Sequence, residues 1–297
     1  MKRGFKAFAL AAVICCISVA AGCNKQPEQE GGGSTVGGGS TVGEGYYAGV
    51  TATAGDALLG QLHDLITTTH THYTSYADCK TTELVVRTDK GKEVNTVMDF
   101  YTQESISAPW AGGQNAGTWN REHVWCKSLS GGLWNKDEVG GGSDMHHIRP
   151  SEVRLNATRG NHKFGEASGG GVAYFIGSDG SKKYEGGRVD GDTFEPLDKV
   201  KGDVARIVMY VYAHYNTFEN VHGTTDGGGY DYYFGTLNFT QITSAASESA
   251  AIEMLLRWHA ADPVDGVETA RNEAVFQIQG NRNPFIDHPE YAAAIWG

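Results

Sequence analysis

Positive charge is scarce in this chain. Of its 297 residues, 24 are Lys or Arg against 35 Asp or Glu, giving a formal charge of −11 at pH 7. Without Lys2, Arg3 and Lys6 of the N-terminal segment, the balance falls from −11 to −14. A surface of that sign is a poor general binder of nucleic acid, because such affinity comes mainly from phosphate neutralisation. Only a local gathering of cations overturns that expectation, since the field at a site outweighs the sum. Proline is sparse as well, at 7, and of the five cysteines only Cys79 and Cys126 lie beyond residue 23. Two cysteines exclude a disulfide-rich scaffold and leave one bridge or two thiols open. After the N-terminal segment no apolar run is long enough to cross a bilayer.

What the sequence does have begins with an export pattern. "MKRGFKAFALAAVICCISVAAGC" is a basic start, an apolar stretch and small residues before Cys23. This reads as a signal segment over 1–22, and "VAAGC" resembles a lipoprotein signal with Cys23 as the lipidated residue. An ordinary cleaved signal or an uncleaved anchor is the plainer reading. Residues 23–45 carry the unit GGGSTV twice. A stretch that cannot bury apolar surface is expected to be a flexible tether. Together these place a domain at the cell envelope or cell surface, held to the membrane through a lipid on Cys23.

Residues 46–297 read as one domain of mixed α and β structure, mostly helical in its C-terminal half. Leu58, Leu59, Leu62, Leu65 and Ile66 have helical spacing, and "LDKVKGDVARIVMYVYAHYN" and "SAASESAAIEMLLRWHAAD" predict two more helices. "TELVVRT" and "NTVMDFYT" look like strands around the turn "DKGK", and "GTWNREHVW" like another. "SDMHHIRP" reads as a short strand or loop ended by Pro150, after which Ser151 suits the N-cap of a helix over 151–162. "GGGVAYFIGSDGSKKYEGGRVDGDTFEP" reads as turns and short strands, and "VETARNEAVFQIQGNRNPF" as a helix that breaks.

Two patches concentrate ionisable groups: "WNREHVWCKSL" and "SDMHHIRPSEVRLNATRGN". On a helix over 151–162, Glu152, Asn156 and Arg159 share a face. An amide oxygen suits a hard cation such as Mg²⁺, and a guanidinium beside it can hold phosphate. Glu122 is a second oxygen ligand, and His123 is a base that titrates near neutrality. On a regular strand these neighbours would point to opposite faces, so one site needs a bend there. Zinc would want a tetrahedral set of His or Cys, and the adjacent His146 and His147 are wrongly spaced for one face. A solvated polar surface is the commoner fate of any single one of these residues.

Taken in order, "WNREHVWCKSL", "SDMHHIRPSEVRLNATRGNHKFG" and "QGNRNPFIDHPE" resemble the bacterial endonuclease I family over about residues 55–297. The resemblance implies an α+β fold with a ββα-metal (His-Me) finger embedded in a mostly helical single domain. It implies His123 as general base and Glu122 and Asn156 as ligands of one Mg²⁺, which Mn²⁺ or Ca²⁺ can replace in binding. Arg121 and Arg159 match positions that could hold phosphate or be structural. Asp144, His146 and His147 would brace the finger, and the C-terminal block would serve packing. The implied partner is DNA, with RNA as an alternative, cut without sequence preference to 5′-phosphate ends by a monomer.

There are departures. Cys126 stands where the family usually has proline, and a bridge to Cys79 could replace that rigidity. The loop 130–142 is short and offers Lys136 as its cation. If nucleic acid binds, Lys127, Lys136, Arg149, Arg154, Arg159, Lys163, Lys182 and Lys183 are the candidates for a basic face. A phosphodiesterase acting on small substrates and a non-catalytic glycan-binding surface lipoprotein remain the alternatives.

Overall fold

A computed structural model describes residues 45–112, 114–134, 140–176, 183–216 and 235–297. The expected signal, tether and lipidated Cys23 lie outside these, as do Lys136 and Lys182. Among the described residues, no helix is long and apolar enough to cross a membrane.

The chain enters with helix α1 (Gly55–Thr69), then α2 (Thr82–Thr88). Strands β1 (Thr96–Met98) and β2 (Ser105–Ser107) form an antiparallel hairpin. Strand β3 (Trp119–His123) pairs antiparallel with β4 (Ile148–Glu152), and α3 (Val153–Arg159) follows directly. A sheet of β5 (Lys163–Phe164), β6 (Gly171–Ile176), β7 (Lys183–Asp190) and β8 (Thr193–Pro196) runs in the order β5-β8-β7-β6. The rest is helical: α4 (Asp198–Tyr215), α5 (Phe239–Ile242), α6 (Glu248–Ala261), α7 (Gly266–Gln279), α8 (Pro284–Asp287) and α9 (Glu290–Trp296). This is the expected α+β architecture, with a ββα unit set in a largely helical body.

The core is built around α4. Val200, Val204, Ile207, Val208 and Val211 are buried, as the spacing predicts, but so are Ala205, Met209 and Tyr210. A helix buried on nearly all sides is a central helix rather than an amphipathic surface one. Its neighbours are α1, α6 and α8. Inside this body α4 keeps one paired charge. Arg206 donates from Nε and Nη2 to the two oxygens of Glu268, both at 2.6 Å. A bidentate pair of this kind is the geometry in which a buried guanidinium is tolerated.

Three local expectations are corrected. "TELVVRT" is the helix α2, not a strand. Its buried residues, Val85 and Thr88, are three apart; Val85 enters the main core, while Leu84 packs towards Val275 of α7. Glu83 in its first turn and Arg87 in its last also suit the helix dipole. The hairpin turns between β1 and β2, not at "DKGK". Finally, β4 runs through Pro150 and Ser151, so the helix begins at Val153 with Glu152 as its cap. Proline is admissible there because both members of a two-stranded ladder are edge strands. Glu152 therefore does not share a helix face with Asn156. Its Oε2 accepts the free N–H groups of Arg154 and Leu155, at 2.9 and 3.1 Å.

The cysteines do not pair. Cys79 and Cys126 are both free and buried. The Cys79 thiol donates to the Ser143 carbonyl at 3.2 Å, and the Cys126 thiol to that of Gly160 at 3.1 Å. Burial pushes the first up to about 12 and the second to about 11. Cys126 keeps the backbone that proline would impose, with φ −51° and ψ 132°.

A buried triad ties the finger to the body. Asp89, at the end of α2, accepts from Arg149 Nε of β4 at 2.8 Å and from Arg271 Nε of α7 at 2.9 Å. Arg271 also donates to the carbonyls of Met145 and Ile148, at 2.5 and 3.0 Å.

Candidate active site

A cavity of about 680 Å³ opens where β3 ends. Arg121, Glu122, His123 and Asn156 all line it, together with Cys126, Lys127, Trp134 and Asn161. Strand alternation predicts Glu122 and His123 on opposite faces. They meet because β3 stops at His123 and the chain bends over 124–125.

His123 is oriented by the backbone. Its Nε2 lies 3.0 Å from the Gly142 carbonyl oxygen. A carbonyl only accepts, so Nε2 carries the proton and Nδ1 keeps its lone pair. Tyr76 stacks on the ring, with centroids 5.5 Å apart. Burial, then His147 and the cations Lys127 and Arg121, push its pKa down to about 3, against the opposing hydrogen bond from Gly142. The imidazole is therefore neutral at pH 7, the form a general base requires.

Glu122 is 3 % exposed. Its Oε1 accepts from Tyr101 Oη at 2.6 Å and stands 3.4 Å from Arg159 Nε. Burial raises its pKa despite the Arg159 charge and the Tyr101 hydrogen bond. Both described partners sit on Oε1, which leaves Oε2 available to a ligand. Asn156, from α3, has a buried Nδ2 with no hydrogen-bond partner. The two ends of an amide are nearly isosteric, so the same side chain turned over presents Oδ1 there. One carboxylate oxygen and one amide oxygen are a donor set suited to a hard cation that keeps most of its water.

The two candidate arginines are placed differently. Arg121 lines the cavity, with its guanidinium 3.6 Å from the Tyr76 ring centroid and 5.1 Å from that of Trp110. It also donates to the Tyr76 carbonyl. Arg159 is fully buried and does not line the cavity. It donates to the Val124 carbonyl at 2.7 Å, to the Cys126 sulfur and to the Gly160 carbonyl, beside its ion pair with Glu122. The anticipated basic face is thinned in the same way, since Arg149 is also held inside by Asp89. Lys127 lines the cavity, and Arg154 and Lys183 are exposed.

Asp144, His146 and His147 stand behind the finger. His147 donates from Nδ1 to the Gly141 carbonyl at 2.6 Å and accepts from the Trp125 N–H at 2.9 Å. His146 donates from Nε2 to the Asn281 carbonyl at 3.0 Å. Burial pushes His146 down to about 4 despite the nearby Asp144 charge. Asp144 accepts at Oδ1 from the His146 N–H and Gln279 Nε2, and at Oδ2 from the hydroxyls of Tyr210 and Tyr215. The C-terminal block serves packing: Asn281, Arg282 and Asn283 are buried.

Sequence reasoning missed Tyr101, Tyr76 and Trp110, which fix Glu122 and Arg121 from outside the motif. It also read the glycines at 140–142 as loop, although two of their carbonyls orient His123 and His147. A signal was present in "GGGS" directly before "DMHH", where backbone must approach closely.

Residues 54–290 match the family described as Endonuclease I. The chain is 36% identical over 282 residues to an "Extracellular ribonuclease" of Bacillus amyloliquefaciens, covering 94% of this chain and 86% of that one. It is 39% identical over 253 residues to an "Extracellular ribonuclease" of Bacillus subtilis (strain 168), covering 84% and 78%. The match spans the ββα unit and the cavity that Glu122, His123 and Asn156 line, and the chain belongs to the endonuclease I family of nucleases.

Proposed function

We propose that this protein is an exported, Mg²⁺-dependent, sequence-non-specific endonuclease that hydrolyses DNA and RNA to 5′-phosphate ends. The observation that carries the reading is the pinned His123 ring. Its Nε2–H is committed to Gly142, and its Nδ1 lone pair is left to a cavity that Glu122 and Asn156 also line.

In this reading His123 Nδ1 takes the proton of the attacking water. Glu122 Oε2 and Asn156 Oδ1 would hold the cation, and Mn²⁺ or Ca²⁺ can take its place in binding. A metal ion there supplies a Lewis acid for the phosphate oxygens and the leaving 3′ oxygen. Arg121, placed near the Tyr76 and Trp110 rings, would turn its remaining donors to phosphate. Lys127 is the nearest further cation on the cavity wall. Arg159 positions Glu122 rather than touching substrate.

A water nucleophile makes no use of a 2′-hydroxyl, so the chemistry is the same on either sugar. The names of the two Bacillus relatives favour RNA as a substrate, which widens the DNA reading of the motifs. Export is supported by the basic-apolar start and by the word extracellular in both names. We read residues 1–22 as signal, 23–45 as tether and 46–297 as the catalytic domain. The protein would act as a monomer, held to the membrane by a lipid on Cys23.

The test is cleavage of plasmid and of single-stranded RNA with Mg²⁺, with EDTA, and by the His123→Ala variant. Loss of both activities in both controls, with 5′-phosphate products, is the expected result. RNA cleavage that survives EDTA and leaves 2′,3′-cyclic phosphates would overturn it.

A further inference from the structure

Three metal-type ligands converge behind the finger, and none of them lines the nuclease cavity. His70 caps the C-terminus of α1, His214 lies in the last turn of α4, and Asp144 sits in the turn before β4. His70 Nδ1 and His214 Nε2 are 3.0 Å apart, and one ligand atom from each of the three residues lies within 4.8 Å of the others. All three side chains are buried, at 2 % exposure or less.

Asp144 has no Lys or Arg in ion-pair range among the described residues. Its four hydrogen-bond donors, Tyr210, Tyr215, Gln279 and the His146 N–H, are all neutral groups. The other carboxylates at 3 % exposure or less are of two kinds, and Asp99 and Glu152 are held by hydroxyl and backbone N–H donors alone. Asp89 meets two guanidinium groups, and Glu122 meets Arg159. What sets Asp144 apart is the pair of imidazole nitrogens that converge on it, a ligand set that buried charges use when they coordinate a metal.

We propose that His70, Asp144 and His214 form a second cation site, structural rather than catalytic, which takes one zinc-class divalent ion. Two imidazole nitrogens and a carboxylate are the ligand set of such an ion, whereas Mg²⁺ prefers oxygen throughout. At Zn–N distances of about 2.0–2.1 Å, two ligands of a tetrahedral site stand about 3.3 Å apart, close to the spacing of the imidazole nitrogens. The carboxylate would close on the rings by up to about 1.5 Å to complete the three-residue set. The hydroxyls of Tyr210 and Tyr215 are rotors with lone pairs of their own, so one of them yields its place on Oδ2. The ion would tie the ends of α1 and α4 to the turn that carries His146 and His147, clamping the finger from behind.

The test is the metal content of the full-length protein, prepared in zinc without chelator and passed through gel filtration. The expected result is one zinc per chain in the wild type and in Glu122→Ala, falling to about a tenth in His214→Gln and Asp144→Asn. Wild-type protein loaded with Co²⁺ should show the absorption bands of a four-coordinate ion with nitrogen and oxygen ligands, a readout that does not depend on the variants folding. A wild type without bound zinc, whose thermal midpoint zinc does not move, would overturn the site and leave a proton shared between the two imidazoles as the compensating charge. Zinc lost in Glu122→Ala would assign the ion to the nuclease cavity and overturn the proposal equally.

Discussion

Arg159 Nε stands 3.4 Å from Glu122 Oε1, and neither side chain is open to solvent. An arginine one turn from Asn156 suggests phosphate binding, yet this guanidinium is used up inside the protein. Removing one partner of a buried pair leaves the other charged and unmatched. Arg159→Ala is therefore expected to lose about 3–5 kcal/mol of stability in urea unfolding. A loss well under 1 kcal/mol with a large rise in KM would instead put Arg159 on the substrate.

His123→Ala removes the base and one hydrogen bond to Gly142. Its kcat should fall by about 10²–10⁴-fold, while the folded state is little changed. Added imidazole should restore part of the rate. A variant that keeps wild-type turnover would take His123 out of the mechanism.

Metal titration tests the proposed ligands Glu122 and Asn156. EDTA should abolish cleavage and Mg²⁺ or Mn²⁺ restore it. Asn156→Ala should need about 10–100-fold more Mg²⁺ for half-maximal rate, the scale seen when ligand shells are disturbed. A titration curve identical to wild type would remove Asn156 from the ligand set.

Gly141 is a steric requirement of the same site. A Cβ at this position would lie 2.8 Å from the Trp134 ring. Gly141→Ala should displace the carbonyl that holds His147 and, next to it, the one that holds His123. Activity should fall with a smaller loss of stability, measured by parallel turnover and melting experiments.

Acid should loosen the anchor between finger and body. Burial alone would raise the Asp89 pKa, but Arg271 and Arg149 outweigh it and hold the carboxyl below its ordinary 3.8. A depressed folded pKa contributes stability that is complete above the unfolded value and is lost as pH falls through the folded one. Asp99 and Glu122, raised by burial, act in the opposite direction. Relative to wild type, Asp89→Asn should be less stable at pH 7, with the gap closing as pH drops below about 4. Unfolding free energies measured across that range check the sign.

The helices were legible where periodicity ran long. The patterns of α1, α4, α6 and α7 each cover several turns, so local spacing and tertiary burial agree. α2 was not legible, because seven residues rich in β-branched side chains carry too little pattern to outweigh propensity, and packing on α7 decides the outcome. The start of α3 was displaced for a related reason. Ser151 and Glu152 are both plausible caps, and pairing with β3 takes Ser151 into the ladder. In the site, Glu122, His123 and Asn156 were readable as residue types and from the family pattern. Their convergence depends on a strand ending at His123, which alternation cannot foretell. Tyr101, Tyr76 and Trp110 come from segments with no motif, and only three-dimensional proximity identifies them.

Cys79 and Cys126 end in separate hydrogen bonds to carbonyl oxygens, and the fold needs no oxidant. Dithiothreitol should leave its melting curve in place. A reducing cytoplasm would then be no barrier to an active nuclease. In the proposed reading, protection of the producing cell's own nucleic acid would come from keeping the chain unfolded until export, or from denying it the metal.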